Sequence, residues 1–339
     1  MRSFLRYLLL LSIVMLAAWI KIPQRYDLKF PRTPGPEFNN RVRNIFTQKI
    51  NRDAPDIVLL GDSTLQTGVD PVRLSEQTGR KISKFDVQGS ASAYWYLALK
   101  NNIGKAQHPP GVVVIVFRDT ILTAPGYRVH GGYFVQLDEL AGKDEPLLLE
   151  RSYLQFMNPL EKWSEQFFPL YGARGSVRQE TDEIIRSILP GWVNCDRDCA
   201  DGGLYEVFTS ADMEPGQLQN AVAVAESYLY SSARLDFESQ VGRSYLPELI
   251  RLARESGIQL ILVRLKNRTL GDGGLAPAPL ERYLHNLAEY LSAEQVPYLD
   301  YGADPRLKPE HFTDSLHLNA DGEIVFTEML AEGLNSLLK

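Results

Sequence analysis

Residues 56–64 read DIVLLGDST, and the fold is predicted outward from this stretch. The four apolar residues 57–60, two of them β-branched, are typical of a short buried strand in a parallel sheet. Gly61 ends the strand, so Asp62 and Ser63 follow at its carboxyl end, where open α/β sheets bind their ligands. A serine hydroxyl on such a rigid edge is well placed as a nucleophile, provided that another residue supplies a base.

A candidate base lies near the other end of the chain, in the run 314–317, which reads DSLH. The imidazole of His317, with a free pKa of about 6.5 for this side-chain type, can accept the serine proton and return it to a leaving group. Asp314 precedes His317 by three residues, so both side chains lie on one side of a single turn. Asp314 is therefore predicted to orient the imidazole, which is the third role of a catalytic triad.

Simpler explanations exist for each of these residues. Ser63 would also suit the cap of a following helix, and Asp314 would suit a tight turn. His311 is the alternative base, because it lies only six residues before His317. His285 falls on a predicted helix and is expected at the surface.

The stretches Gly61-Asp62-Ser63 and Asp314-x-x-His317, in this order, resemble the motifs of the SGNH, or GDSL-like, hydrolases and their acyltransferase relatives. The resemblance implies a flavodoxin-like three-layer α/β/α sandwich with a parallel sheet and a Ser63–His317–Asp314 triad. It also implies that the backbone N–H groups of Ser63 and Gly89 stabilise the oxyanion of acyl transfer. A simple turn glycine is the alternative for Gly89.

The third motif of the resembled family departs from its usual form. An asparagine is expected after the third strand, and residues 117–120 read FRDT instead. Arg118 is expected to donate to an oxyanion or to anchor an acidic substrate, and Asp119 to accept a sugar hydroxyl. Alternatively, Arg118 and Asp119 form an ion pair with each other at the edge of the sheet.

Repeated strand-then-turn units predict a doubly wound sheet around these motifs. The region of about 121–242 is rich in aromatic residues and lacks clean periodicity, so it is predicted to be an insertion over the active edge. Strands are predicted at 56–60, 84–87, 112–117, 258–263 and 297–300, and helices at 38–50, 71–77, 93–105, 244–256, 279–293 and 320–338. Predicted platforms for sugar rings, with core packing as the alternative, are Tyr94, Trp95, Tyr127, Tyr133 and Trp192.

The N-terminal sequence predicts that the protein is exported. Residues 7–20 are uncharged and mostly apolar, and flanking apolar residues lengthen the run enough to span a membrane. Because no clear A-x-A cleavage site follows, an uncleaved signal anchor over 1–22 is preferred to a cleaved signal peptide. A proline-rich linker over 23–52 and a catalytic domain over 53–339 complete the predicted organisation.

Composition bounds the remaining classes of function. The chain has 339 residues, of which 44% are hydrophobic, a composition typical of a globular protein. Its net charge of −6 argues against a nucleic-acid partner. Cys195 and Cys199 are predicted to close a local disulfide in an oxidising compartment. No metal or other cofactor is expected, because a zinc site would need two further ligands.

Three hypotheses follow. The first is an exported, membrane-anchored serine enzyme that forms or hydrolyses O-acyl esters, most simply acetyl esters, on an envelope polysaccharide or exopolysaccharide. Its partners would be the polysaccharide acceptor or acyl-ester substrate, the membrane and a membrane-bound acyl-donor protein. It would face the periplasm in a Gram-negative source, or be secreted if the signal is cleaved. The second is a non-catalytic glycan-binding or assembly subunit, and a lipase or thioesterase of lipid substrates is a third.

Overall fold

The computed structural model of the chain describes residues 2–39, 42–175, 177, 229–267 and 278–338. Its contacts divide the chain into two compact units. We call them the N-terminal unit, Met1–Pro36 with Tyr153–Ala221, and the sheet unit, Glu37–Ser152 with Val222–Lys339. The predicted disulfide and the predicted stacking residue Trp192 lie outside the described residues.

The sheet unit is built on five parallel strands in the order β2-β1-β3-β4-β5. This order is that of the flavodoxin-like doubly wound sheet, in which the direction of winding reverses between β1 and β3. The predicted α/β fold class is therefore confirmed. The strands are β1 (Ile57–Gly61), β2 (Ile82–Asp86), β3 (Val112–Phe117), β4 (Gln259–Arg264) and β5 (Tyr298–Asp300).

Strand pairing explains where the observed boundaries differ from the predicted ones. Strands β1 and β3 are buried along their whole length, as their runs of apolar residues predict. Strand β2 begins at Ile82 rather than at residue 84, because Ile82 pairs with Ile57 at the start of β1. Its alternating burial is that of an edge strand, which weakens the apolar pattern in the sequence.

Helices cover both faces of the sheet. One face packs against α3, α4 and α13 through a single apolar cluster that includes Leu65, Leu74 and Phe326. On the other face α5 packs against α11, and α11 contacts β4. The helices of this unit are α2 (Ile45–Asp53), α3 (Ser63–Gly68), α4 (Pro71–Thr78), α5 (Ser92–Asn101), α6 (Gly132–Leu140), α7 (Pro146–Ser152), α10 (Phe237–Val241), α11 (Leu246–Glu255), α12 (Ala278–Ala293) and α13 (Ala320–Leu337).

One predicted helix agrees with the structure, and another is shorter than predicted. Helix α11 keeps its predicted apolar face, with Leu246, Leu249 and Ile250 buried, and Gly257 follows in the left-handed region with φ +67°. The helix predicted at 38–50 is instead α2, which starts only at Ile45. Helix α3 begins at Ser63, separated by one residue from the end of β1, where no helix was predicted.

The described part of the N-terminal unit is helical. It contains α1 (Arg2–Tyr26), α8 (Pro159–Phe167) and the single turn α9 (Pro169–Gly172). Residues Phe4–Tyr26 of α1 form a helix long and apolar enough to cross a membrane, a test that a signal sequence near the N-terminus also passes.

We predict that Gly61→Ala destabilises the sheet unit. An added Cβ would lie 2.7 Å from Cβ of Leu65 and 3.0 Å from the carbonyl oxygen of Val116, so the helix and strand would have to move apart. Overpacking of this kind costs about 1–3 kcal/mol. Urea unfolding of the full chain in detergent micelles measures the loss. Gly111→Ala is the control, because its added Cβ meets nothing closer than the Asp56 carbonyl oxygen at 3.9 Å. Equal stability of the two variants would contradict this account.

Candidate active site

Ser63 is the first residue of α3 and stands at the carboxyl edge of the sheet. Asp62 has an extended backbone and caps α3, because its Oδ1 accepts the backbone N–H of Thr64 at 2.9 Å and the Thr64 hydroxyl at 2.7 Å. The chain therefore changes from strand to helix within two residues. Asp62 is the capping residue here, which leaves the Ser63 hydroxyl available for other contacts.

The structure brings Ser63, His317 and Asp314 together in one hydrogen-bonded line. His317 Nε2 lies 2.8 Å from Ser63 Oγ, although the two residues are 254 positions apart in the chain. His317 Nδ1 lies 2.7 Å from Asp314 Oδ2. Both Asp314 and His317 are partly exposed. This arrangement has the connectivity that a serine nucleophile, a general base and an orienting carboxylate require.

The loop that carries Asp314 and His317 is fixed by its own hydrogen bonds. Asp314 Oδ1 accepts the backbone N–H groups of Leu316 at 2.7 Å and His317 at 2.8 Å. The N–H of Thr313 donates to the His317 carbonyl at 2.9 Å. Because one carboxylate oxygen holds the turn, the other remains directed at the imidazole.

The charge of Asp314 influences which nitrogen of a neutral His317 ring carries the proton. Burial would raise this pKa, but the hydrogen bonds from the His317 ring and from the backbone of Leu316 and His317 outweigh burial and lower it. Asp314 is therefore ionised at neutral pH and accepts a hydrogen bond from Nδ1–H. In a neutral imidazole with that tautomer, Nε2 is the acceptor that faces the Ser63 hydroxyl.

The loop after β2 is hydrogen-bonded to the residue that ends β1. The N–H of Val87 and the hydroxyl of Ser90 both donate to the Gly61 carbonyl, at 3.1 and 2.9 Å. Gly89 lies between them with φ +72°, a conformation that favours glycine. Within the described part of the chain its N–H donates no hydrogen bond. The first helical residue, Ser63, likewise has no acceptor for its N–H within α3.

The Tyr133 side chain packs directly on Gly89. A Cβ at position 89 would collide with the Tyr133 ring, so the glycine and the ring depend on each other. Gln136, one turn further along α6, donates from Nε2 to the Gln88 carbonyl at 3.2 Å. These two contacts place the start of α6 against the loop that carries Gly89.

Arg128 lies between two tyrosine rings beside this loop. Its guanidinium carbon is 5.0 Å from the centre of the Tyr127 ring and 5.3 Å from that of Tyr133. Its backbone is in the left-handed region, with φ +54°. Such strained residues are concentrated at functional sites.

The prediction of sugar platforms is wrong for three of the residues to which it was applied. Tyr94, Trp95 and Tyr127 are buried, and the indole N–H of Trp95 donates to Ser90 Oγ at 3.0 Å, so core packing accounts for them. Tyr133, with 37% of its surface exposed, remains available for stacking.

Arg118 is buried at the carboxyl end of β3. Its Nη2 donates to the Tyr127 hydroxyl at 3.3 Å, and its Nε has no hydrogen-bond partner among the described residues. Burial lowers the pKa of Arg118, but the nearby negative charges, Asp62 first among them, raise it overall. A buried positive charge thus lies close to the residue that precedes Ser63.

Asp119 belongs to a different set of contacts. Its Oδ2 accepts Asn267 Nδ2 and the Tyr230 hydroxyl, both at 2.5 Å, and its Oδ1 lies 3.4 Å from Arg264 Nη2. Within the described residues no ion pair joins Asp119 to Arg118, so the alternative prediction of that pair is wrong. The expectation that Asp119 accepts a sugar hydroxyl also fails, because its buried carboxylate already has three donors.

The sequence prediction missed these partners of Asp119. Arg264 is the last residue of β4 and Asn267 follows it at the same carboxyl edge, a position that would have marked both as candidates. Arg264 also binds Asp300, at the end of β5, with an Nη1–Oδ1 distance of 2.9 Å. The side chains thereby link the carboxyl ends of three neighbouring strands.

The other histidine predictions are resolved by geometry. His311 Nδ1 accepts the backbone N–H of Lys308 at 3.2 Å, so His317 and not His311 contacts Ser63. His285 is exposed on α12, as expected, and pairs with Glu289. Among the described residues, no group of three His, Cys, Asp or Glu side chains is arranged to hold a metal ion.

Comparison with known proteins yields similarities of structure. No protein-family model and no curated protein matches the sequence. A GDSL-like lipase from Bacteroides thetaiotaomicron is similar with a TM-score of 0.37 and 11% identity, over 83% of this chain and 88% of that chain. A lipolytic protein of the G-D-S-L family from Desulfitobacterium hafniense gives a TM-score of 0.37 and 10% identity, over 82% and 98%.

We predict that Asp314→Asn destabilises the protein in a pH-dependent way. The pKa of Asp314 is lower in the folded protein than its unfolded value of about 3.9, so ionised Asp314 stabilises the fold above that pH. This contribution is lost as the pH falls through the folded-state value. The stability gap between wild type and variant should therefore be full at pH 6 and narrow toward pH 3, as measured by urea unfolding in micelles. Asp144→Asn, at an exposed position, is the matched control. A gap that widens as the pH falls would rule out this charge-based explanation.

Proposed function

We propose that this chain is an exported SGNH-like serine enzyme that forms or hydrolyses O-acyl esters, chiefly acetyl esters, on a cell-envelope polysaccharide or exopolysaccharide. The observation that supports an enzyme over a non-catalytic subunit is the 2.8 Å contact between Ser63 Oγ and His317 Nε2, in line with Asp314. A serine that served only as a helix cap would have no need of this partner. In α3 that function falls to Asp62.

The proposed reaction has two acyl-transfer steps. Ser63 Oγ attacks the ester carbonyl carbon while His317 Nε2 takes the serine proton, and the carbonyl oxygen becomes an oxyanion. The oxyanion collapses, the alcohol leaves with the proton from His317, and an acyl-serine remains. Water or a sugar hydroxyl then gives its proton to His317 and attacks the acyl carbon. The second oxyanion collapses, the acyl–Oγ bond breaks, and Ser63 Oγ takes the proton back from His317. Water completes hydrolysis, and the sugar hydroxyl completes transfer.

The oxyanion is proposed to receive hydrogen bonds from the N–H groups of Ser63 and Gly89. The left-handed backbone of Gly89 supports this role, and so does its N–H, which has no acceptor among the residues that the structure describes. Such donors must be positioned before the charge develops. Arg118 is proposed to act through its charge. Because the Arg118 side chain is buried, we propose that it raises the electrostatic potential at the site and does not bind the substrate directly.

The polysaccharide is proposed to contact Tyr133 and Arg128. The exposed Tyr133 ring lies on Gly89 and so next to the proposed oxyanion donor, where the face of a sugar ring would stack. Arg128, held against the same ring, offers guanidinium donors to hydroxyl or carboxylate groups of the sugar. The apolar helix α1 supports export, with the membrane and a membrane-bound acyl donor as partners.

We predict that Ser63 is the only residue that carries the acyl group. Incubation of the full chain in micelles with a fluorophosphonate should add one adduct by intact mass, and Ser63→Ala should remove it. Hydrolysis of p-nitrophenyl acetate should fall by at least about 10³-fold in Ser63→Ala, because removal of a triad nucleophile leaves only the oxyanion donors and binding.

The control is Ser292→Ala, which removes an exposed hydroxyl on α12 and should keep both the adduct and the activity. If Ser63→Ala hydrolysed the ester as fast as wild type, the proposed mechanism would be wrong. If neither protein formed an adduct although wild type bound the glycan, the non-catalytic subunit would be favoured.

We predict that Tyr133→Ala selectively weakens activity on sugar esters. Loss of a stacking contact worth about 1 kcal/mol should lower kcat/KM for glucose pentaacetate about five-fold. The rate with p-nitrophenyl acetate, which carries no sugar, should hardly change. Tyr133→Phe keeps the ring and is the matched control. Equal losses on both esters would show that Tyr133 supports Gly89 without contacting the sugar.

A further inference from the structure

Helix α8 in the N-terminal unit turns its apolar side outward. Leu160, Trp163 and Phe167 are spaced by three and four residues, so they lie within about 60° of one another around the helix axis. Their surfaces are 70%, 55% and 38% exposed. Glu165 lies on the opposite side of the helix and is only 7% exposed. A helix on the surface of a water-soluble protein shows the reverse arrangement.

The contacts of the buried Glu165 carboxylate explain why the polar side of α8 faces inward. Glu165 Oε2 accepts the backbone N–H of Gly35 at 2.5 Å, and Oε1 forms an ion pair with Arg174 at 2.5 Å. Arg32 donates to the carbonyl groups of Gly172 and Gly35, both at 3.1 Å. The polar side of α8 is therefore bound to the rest of its own unit. Rotating the helix to bury its apolar side would break these bonds and leave Glu165 without them.

The outward apolar side chains are contiguous. The rings of Trp163 and Phe167 are in contact, with centres 6.1 Å apart. Leu170 in α9 continues the row and is 41% exposed. We call Leu160, Trp163, Phe167 and Leu170 the α8–α9 surface. Single exposed apolar residues are common on proteins, but a contiguous group of this kind marks an interaction surface.

Contact with α1 indicates what this surface meets. Phe168, which joins α8 to α9, packs edge-on against Trp19 of α1 with ring centres 5.7 Å apart. Trp19 is two residues before Lys21, the first charged residue after the uncharged run 7–20, which is about 3 Å along the helix. If α1 crosses a bilayer of about 30 Å, Trp19 lies close to one interface, where tryptophan is enriched. Phe168 is then at that same depth.

We propose that the α8–α9 surface lies in the interfacial layer of the bilayer that α1 crosses, with lipid as its partner. Interfacial helices bury an apolar face about 5–10 Å deep at the boundary of headgroups and acyl chains, often through Trp, Phe and Leu. The four side chains of the surface have this chemistry and a membrane-length helix beside them. The unit therefore attaches to the membrane at two places, by a spanning helix and by a helix at the interface. This inference does not depend on the chemistry of Ser63.

Site-specific photocrosslinking tests the proposal with the full chain in phosphatidylcholine vesicles. A benzophenone amino acid replaces Trp163, or Leu160 in a second variant so that one misfolded protein does not decide the result. Lys162, on another side of the same helix, is the matched control position. Mass spectrometry then identifies what each probe has captured.

We expect lipid adducts at positions 160 and 163, several-fold more abundant than at 162. Crosslinks within the same chain would show that another segment covers the surface. Crosslinks to a second copy would show a protein interface. Either result, or equal lipid labelling at all three positions, would overturn the proposal. Activity towards p-nitrophenyl acetate, measured on the same samples, reports separately on the proposed enzyme.

Discussion

The close packing around Gly61 is the constraint on which the candidate site depends. Because this residue has no side chain, Leu65 of α3 and the carbonyl of Val116 in β3 both approach its Cα closely. The same residue accepts hydrogen bonds on its carbonyl from the loop that carries Gly89. One glycine thus fixes the start of α3, the neighbouring strand and the proposed oxyanion donor. The hydroxyl of Ser63 is presented two residues later, at the first residue of α3, after the capping residue Asp62.

Two polar networks lie at the carboxyl edge of the sheet and differ in burial. One joins Ser63, His317 and Asp314, and the other contains Asp119 and Arg264. Asp314 and His317 are partly exposed and are supported by bonds within one short loop, so they remain accessible to a substrate. Asp119 and Arg264 are buried. Burial lowers the pKa of Arg264, yet the nearby carboxylates of Asp300 and Asp119 raise it overall, so the Arg264 guanidinium stays charged inside the protein. Breaking one member of such a buried pair is costly, so we assign this network a structural role beside the proposed catalytic residues.

Local patterns in the sequence located the strands approximately and identified Ser63 and His317 as candidates, because each has a short signature. The structure places these two side chains 2.8 Å apart. The apolar runs of β1 and β3 predict buried strands, and DSLH predicts a turn that joins Asp314 to His317. The packing of Tyr133 on Gly89 has no such signature, since it joins a glycine loop to a helix without clear periodicity. The partners of Asp119 were missed for a related reason. Which polar residues meet at the edge depends on strand order, and that order is a property of the assembled sheet.

Helix α8 shows a further limit of sequence patterns. They indicate which side of a helix is apolar, but not whether that side faces protein, water or lipid. Leu160, Trp163 and Phe167 have the spacing of a helix that packs on a protein core. In this chain the core side carries Glu165 instead, and its carboxylate is satisfied by a backbone N–H and an arginine. Exposing three large apolar side chains to water would be unfavourable, at roughly 25 cal/mol per Å² of apolar surface. The arrangement becomes favourable when lipid replaces water on that side, and the contact between Phe168 and Trp19 places a membrane-length helix there.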